Sequence, residues 1–292
     1  MNRDPSTLHR ILVGLTGWGD HPDLYPTAQA RKNKLRTYSA HFPIVEVDSS
    51  FYAIQPEKNY SKWIADTPPD FSFVIKAYQG MTGHSRGDHP FASLDEMFEA
   101  FKRSIQPVIQ AGKLKAVLFQ YPPWFECTRI HVNALRYARE KMGELPVALE
   151  FRHRSWFAPP MRNKTLAFME REGWIHSICD EPQAGPGCVP TVLHATNRRL
   201  TLVRFHGRNA SGWNHTGDET WRNVRYLYHY SKEELLEWKE KLQLLQQTTD
   251  EICLIFNNNS GGHAAANAKQ MMRLLGIENQ GLVHGQLDLF QL

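Results

Sequence analysis

No two of the four cysteines in this 292-residue chain stand in a C-x-x-C pair; Cys127, Cys179, Cys188 and Cys253 occur singly. That spacing excludes the paired ligands of a structural zinc site and the clustered framework of a small disulfide-rich domain. It predicts reduced thiols in a cytoplasmic protein. No run of about 18 apolar residues occurs, so no membrane-crossing helix is expected. Met1–Arg10 is polar and lacks the apolar stretch of a secretory signal. Charge of one sign is not in excess either. With 34 basic and 30 acidic residues the formal net charge is +4, too mild to imply nucleic acid by itself. The chain also lacks low-complexity stretches, H-x-H and H-E-x-x-H metal motifs, and the G-x-G-x-x-G spacing of a nucleotide cofactor site.

What is present is a core and a rhythm. Apolar residues make up 41% and charged residues 22% of the chain, enough to bury a sizeable interior. Short β-branched runs recur at Ile11–Leu15, Pro43–Asp48, Phe71–Lys76, Lys115–Gln120, Pro146–Arg152, Trp174–Asp180, Leu200–His206 and Glu251–Asn257. Helical patterns lie between most of them. Ser231–Gln247 opens on a capping-box spacing, Ser231 with Glu234, and puts Leu235, Trp238, Leu242 and Leu245 on one face. Ala264–Leu275 stops at Gly276, and Ser93–Ile105 and Arg129–Met142 read as two more helices. One strand roughly every 34 residues suits an α/β fold of the (β/α)₈ TIM-barrel type, with residues 1–292 as a single domain. Glu181–Arg199, rich in Pro and Gly, interrupts the alternation with only a brief helical stretch expected. The alternative, a doubly wound open sheet, would carry a Gly-rich fingerprint after its first strand; Gly14, Gly17 and Gly19 lack that spacing.

Side chains of a barrel strand alternate between the helix layer and the interior. If Val45, Val47, Phe73, Ile75, Leu149, Phe151, Val203 and Phe205 face outward, then Glu46, Asp48, Lys76, Glu150, Arg152, Arg204 and His206 face inward. Gln120, Asp180 and Asn257 end strands four, six and eight. Acids and bases from separate strands would thus converge at the C-terminal mouth, where active sites of this fold lie. Burying unpaired charge costs several kcal/mol, so these groups are expected to pair with each other, a ligand or a metal. The plainer alternative is a paired charge plug that only fixes the barrel.

These strand ends also carry a resemblance. The stretches G-L-T-G-W (Gly14–Trp18), V-E-V-D-S-S-F-Y (Val45–Tyr52), K-A-Y-Q-G-M-T-G-H (Lys76–His84) and F-Q-Y-P-P (Phe119–Pro123) resemble the YecE-like family, domain of unknown function 72. So do E-F-R-H-R-S-W (Glu150–Trp156), R-F-H-G-R (Arg204–Arg208) and F-N-N (Phe256–Asn258). The resemblance runs from about Leu12 to the tail Gln286–Phe290 and is strongest to the family's YunF-like branch. It implies a TIM barrel and no settled activity. The family usually has Asn at the place of Asp48, so a charged Asp48 would alter the local balance.

The expected ligand is a small phosphorylated or carboxylated molecule. Strand eight runs into Asn257-Asn258-Asn259-Ser260-Gly261-Gly262 and then a helix, a setting in which backbone N–H groups and a helix N-terminus receive an anion. Lys76, Arg152, Arg204 and Arg208 would add charge, with Trp18, Asp48, His84, Gln120, His153, Asn257 and Asn258 as further contacts. Gly261 and Gly262 could equally serve only a tight turn. Acid–base chemistry, hydrolysis or isomerisation, would fall to Glu46, Glu150, Asp180 and His206, with Glu150 as base and His206 as acid. Lys76 is expected to bridge Glu46 and Asp48 rather than form a Schiff base. Trp18 and Trp156 suit stacking on a ligand or ordinary rim packing.

A divalent metal on Glu46, Asp48, Glu150, Asp180, His84 and His206 is the alternative enzyme reading; three cationic side chains in the same cavity count against it. A third reading is nucleic-acid binding by Arg208–Tyr230, where Arg208, Arg222 and Arg225 alternate with Trp213, Trp221, Tyr226, Tyr228 and Tyr230. A cover over the mouth is the preferred role for that loop. Gln79–Pro90, with His84, Arg86 and His89, reads as a second cover.

Overall fold

Eight parallel strands close on themselves in chain order: β1 (Arg10–Thr16), β2 (Ile44–Val47), β3 (Ser72–Lys76), β4 (Leu114–Gln120), β5 (Val147–Glu150), β6 (Ile175–Asp180), β7 (Thr201–Phe205) and β8 (Glu251–Phe256). β8 returns to β1, with Leu12 opposite Cys253 and Gly14 opposite Ile255. The computed structural model describes residues 10–85, 90–213 and 224–277. The eight runs read from the sequence are these eight strands, to within one or two residues at each end.

The alternation of side chains produces two apolar layers. Inside the barrel lie Leu12, Ile44, Val74, Ala116, Leu118, Ala148, Ile175, Leu202, Cys253 and Ile255. Outside it, Val45, Phe73, Val117, Leu149, Val203 and Leu254 pack against the helices. In most strands the interior turns polar two residues beyond the last inner apolar position. Ile44 is followed by Glu46, Val74 by Lys76, Leu118 by Gln120, Ala148 by Glu150 and Leu202 by Arg204. The barrel is therefore apolar at its floor and charged at its mouth.

Helices form where caps and periodicity agree. The Ser231–Glu234 capping box is made in full before Lys232–Leu245, whose Leu235, Trp238, Leu242 and Leu245 are all buried. Ser93 and Thr128 cap Leu94–Ser104 and Arg129–Met142 through their hydroxyls. His263–Leu275 follows the last strand. Glu57–Ala65 and Arg162–Glu172 complete the main outer layer. The stretch after β6 departs from expectation. Residues 181–200 contain no helix at all. Pro182, Pro186 and Pro190 each remove a backbone donor and fix φ, and the connection is pinned instead by Glu181, whose Oε1 accepts the Val189 N–H at 2.6 Å.

β1 and β2 are joined by an inserted side chain as well as by their ladder. The Tyr38 hydroxyl accepts from the Leu15 N–H and donates to the Ile44 carbonyl, both at 2.8 Å. Gly14 sits beside this point, and a Cβ there would meet the Ile44 carbonyl oxygen at 2.1 Å. All four cysteines are free thiols. Among the described residues no helix is long and apolar enough to cross a membrane.

Candidate ligand cleft and its buried charge network

Arg204, at the inner end of β7, is the hub of the mouth. Its Nε and Nη2 donate to the two oxygens of Glu46 at 2.8 and 2.6 Å. Its Nη1 donates to Glu150 Oε2 at 2.8 Å and to Gln120 Oε1 at 3.2 Å. Glu150 also receives the Ser177 hydroxyl at 3.0 Å on Oε2 and Arg152 Nη1 at 3.2 Å on Oε1. Arg152 continues to Glu181 at 3.0 Å. Glu46, Glu150, Glu181 and Arg204 are buried, so this is a closed chain of ion pairs below the solvent-facing floor of the mouth. Such charges stay in place because each meets an opposite one, with hydrogen bonds at Glu46 and Glu150 and an ion pair at Glu181.

The electrostatics follow from that pairing. Burial alone would raise the Glu150 carboxyl, but Arg204, His206 and Arg152 outweigh it and hold the group well below the usual carboxylate range. Burial pushes Glu46 upward against Arg204. Both of its oxygens nevertheless accept from the guanidinium, which leaves no place for a proton and favours the carboxylate. Glu181 is pushed up to about 7 by burial, against the pull of Arg152. His206 is brought down to about 3, first by burial. Its Nδ1 lies 3.0 Å from the Asn257 amide nitrogen. With that NH₂ donating, the ring proton resides on Nε2, 3.3 Å from Glu150 Oε1. His206 is thus a neutral imidazole over a permanently charged carboxylate.

Above this network opens a cleft of about 670 Å³. Its lining includes Lys76, Arg152, Arg204 and Arg225 against two carboxylates, Asp20 and Asp48. Among the described residues the Lys76 ammonium makes a single hydrogen bond, to Asp48 Oδ1 at 3.3 Å, and lies 4.4 Å over the Phe51 ring. Phe51 is held beside β3 by its neighbour Ser50, whose hydroxyl lies within hydrogen-bond reach of the Val47 and Lys76 carbonyls at 2.9 and 2.7 Å. His84 Nδ1 is 2.8 Å from the Thr82 hydroxyl. Burial, then Lys76 and Arg152, bring its imidazole down to about 4. Asn257, Asn259, Ser260 and Gly261, after β8, complete the lining, and Gly261 and Gly262 both have left-handed φ, 73° and 76°, ahead of the helix His263–Leu275.

The sequence matches the family described as "Protein of unknown function DUF72" over residues 12–288. The chain belongs to this family. It is 58% identical to the UPF0759 protein YunF of Bacillus subtilis over 281 residues, which is 96% of this chain and 100% of that one. A solved DUF72 family protein from Enterococcus faecalis V583 aligns with TM-score 0.86 and 38% identity, covering 92% of this chain and 96% of that one. Another, from Thermotoga maritima, aligns with TM-score 0.78 and 31% identity, covering 92% and 100%.

In this DUF72 chain the residues singled out from the sequence divide into four groups. Asp48, Lys76, His84, Gln120, Arg152, Arg204 and Asn257 line the cleft. Glu46, Glu150 and His206 lie directly beneath it. Asp180 does not join them. It pairs in register with Phe205, an outward residue, so it points to the helix layer. There it takes Arg208 Nε at 3.1 and 3.0 Å, and burial raises its carboxyl against that pull. Arg208 is held on the same outer side, with Glu234 at 3.2 Å and Glu237 at 3.3 Å as further partners. The inward residues of β6 are instead Ser177 and Cys179, neither of them singled out from the sequence. The signal was present in strand parity, but Ile175, Ile178 and Cys179 make both faces of β6 apolar and hide it.

The last group is structural. Asn258 is buried away from the cleft, donating to the Tyr228 carbonyl and to Asn267 Oδ1, each at 2.9 Å. His153 Nδ1 is 2.7 Å from the Ser155 hydroxyl in a turn. Trp18 packs edge-on against Trp63 at 5.1 Å, and Trp156 stacks on Phe151 at 4.1 Å with its indole N–H on the Phe125 carbonyl. Lys76 bridges to Asp48 as expected, while Glu46 is taken by Arg204.

In the loop after β7, Trp213 is buried between Arg152 and Arg225, 4.8 and 4.1 Å from its ring, and Tyr230 is buried with its hydroxyl accepting the Gly207 N–H at 3.0 Å. Arg86, His89, Trp221, Arg222 and the tail Gln286–Phe290 lie outside the described residues. Among those described, Glu150, Cys179 and His206 form the one cluster close enough to share a metal ion. It fits a cation poorly. Arg204, Arg152 and Ser177 already occupy the Glu150 oxygens, and burial with neighbouring carboxylates pushes the Cys179 thiol well up.

Proposed function

We propose that the chain binds a small phosphorylated or carboxylated molecule in the cleft at the C-terminal ends of the strands. The observation that carries this reading is the charge of the lining: four cationic side chains, Lys76, Arg152, Arg204 and Arg225, against Asp20 and Asp48. The acids that pair with Arg204 and Arg152 are not among the lining residues, so the lining carries more cations than acids. Of the two glycines after β8, Gly261 lines the cleft, while the Gly262 N–H closes the turn on the Asn259 carbonyl at 3.0 Å.

The buried network reads as a scaffold for that lining rather than as acid–base machinery. Glu150 is too stabilised as an anion, and His206 too reluctant to take a proton, for the pair to exchange one near neutral pH. A hydrolytic or isomerising step would draw on groups at the cleft surface, Asp48 or His84. Trp213 and Tyr230 are both buried, Tyr230 against Phe205 in the helix layer, which speaks against a surface for stacking bases.

Calorimetric titration with inorganic phosphate, ribose 5-phosphate and citrate tests the reading. At least one should bind, and Lys76→Met should weaken that binding by about tenfold or more, the equivalent of about 1.4 kcal/mol, with the melting temperature little changed. No binding by any of the three at millimolar concentration would overturn it.

A further inference from the structure

One polar group at the mouth of the barrel does no work in the fold. Thr16 ends β1 on the inner face, since Leu12 lies inside the barrel while Val13 and Leu15 belong to the outer layer. It is 6% exposed and lines the cleft, yet its hydroxyl has no hydrogen-bond partner among the described residues. A buried hydroxyl without a partner costs stability that an apolar group of the same shape would not.

Other polar groups of the lining also have unused capacity. Leu15 pairs with Phe256, so Thr16 and Asn257 follow side by side at the ends of β1 and β8. Asn257 is buried and its amide nitrogen serves His206 Nδ1, while no hydrogen bond among the described residues uses its Oδ1. Gln120 is the reverse case. Its Oε1 accepts from Arg204 Nη1, and its NH₂ has no partner among the described residues. Asp48 meets Lys76 through Oδ1 and leaves Oδ2 free of any described hydrogen bond. Gln120, Asn257 and Asp48 all line the cleft with Thr16.

The kinds of group left over narrow the ligand. An ionised phosphate or carboxylate brings acceptors, which suit the cations and the Gln120 NH₂. It offers no donor to Asn257 Oδ1 or Asp48 Oδ2. Hydroxyls serve both kinds, because each one donates and accepts. An ammonium would also bring donors, but it would share the cleft with Lys76, Arg152, Arg204 and Arg225. We infer that the ligand is a polyhydroxylated anion, a sugar phosphate or a sugar acid, whose hydroxyls are read by Thr16, Gln120, Asn257 and Asp48. A cleft of about 670 Å³ is within the size of a small-molecule site. The inference rests on the anion reading and narrows it to one class.

Calorimetric titration of the whole chain with two matched pairs tests it: ribose 5-phosphate against n-butyl phosphate, and gluconate against hexanoate, with inorganic phosphate and citrate as references. The pair that binds tells phosphate from carboxylate. Within it the hydroxylated member should bind about tenfold or more tighter, because a site built to hydrogen-bond a hydroxyl rejects the analogue lacking it. Thr16→Val should narrow that difference about fivefold, the worth of one hydrogen bond, and Thr16→Ser should restore it. Equal affinity within each pair, a difference that Thr16→Val leaves intact, or binding of the references alone overturns the hydroxyl inference and leaves the anion reading standing. Failure of all six probes to bind overturns both.

Discussion

Two arginines on one strand and its following loop show how little a residue's type says about its work. Arg204 spends four of its five N–H donors on Glu46, Glu150 and Gln120, and Arg208 faces outward to Asp180. Neither fate could be read locally, because Arg204 and Glu46 are 158 residues apart. Replacing Arg204 with Met would leave Glu46 a buried, unmatched carboxylate and the Glu150 carboxylate with only Arg152 and Ser177 donating to it. Loss of one partner of a buried pair costs about 3–5 kcal/mol, so the variant should lose stability heavily in denaturant unfolding. A loss below about 1 kcal/mol would show that the network is not buried as described.

Buried histidines set the acid limit. His206 is held down to about 3 and His176 to about 4, each by burial first. Their folded pKa lies below the unfolded value, so the unfolded chain binds more protons under pH 6.5 and the fold weakens as pH falls from there toward 4. Glu150, held low, acts in the same direction below its ordinary range. Glu181, pushed up to about 7, acts oppositely between pH 4.5 and 7, as does Asp180, raised by burial, while His84, brought down to about 4, adds to the histidines. The melting temperature should therefore drop as pH is lowered from 6.5 to 4.5. A flat profile across that interval would contradict the assignment of neutral buried imidazoles.

At the level of elements, the join of β1 to β2 is the most specific feature. The Tyr38 hydroxyl serves a donor and an acceptor that have no other use for each other. Tyr38→Phe would strand a buried N–H and a buried carbonyl, at about 1–3 kcal/mol for unsatisfied groups, and a calorimetric melt should register several degrees. An unchanged melt would mean that the two strands close up without it. All eight strands were legible because β-branched runs bounded by turns are a strong local pattern. The helices with side-chain caps, such as Lys232–Leu245, were legible too. Arg162–Glu172, which starts with no side-chain cap, and Glu57–Ala65, with Tyr60 as its one buried residue, were not. Parity located Glu46, Lys76, Glu150 and Arg204 correctly on the inner face. It failed at β6, where two similarly apolar faces left Asp180 assigned by its position at the strand end.

For the whole molecule, the barrel separates two tasks along its axis. Paired charges fix the interior just below the mouth, and a cleft lined by more cations than acids opens above them. That division is the core of the account, and one comparison reaches it directly. Melting of the wild-type chain and of Lys76→Met should be followed in rising ribose 5-phosphate at constant ionic strength. A ligand at about 100 times its dissociation constant adds about 2.7 kcal/mol, worth several degrees. The account predicts that rise for the wild type and its near absence for Lys76→Met, with both proteins starting from similar melting temperatures. Equal rises in the two proteins, or none in either, would contradict it.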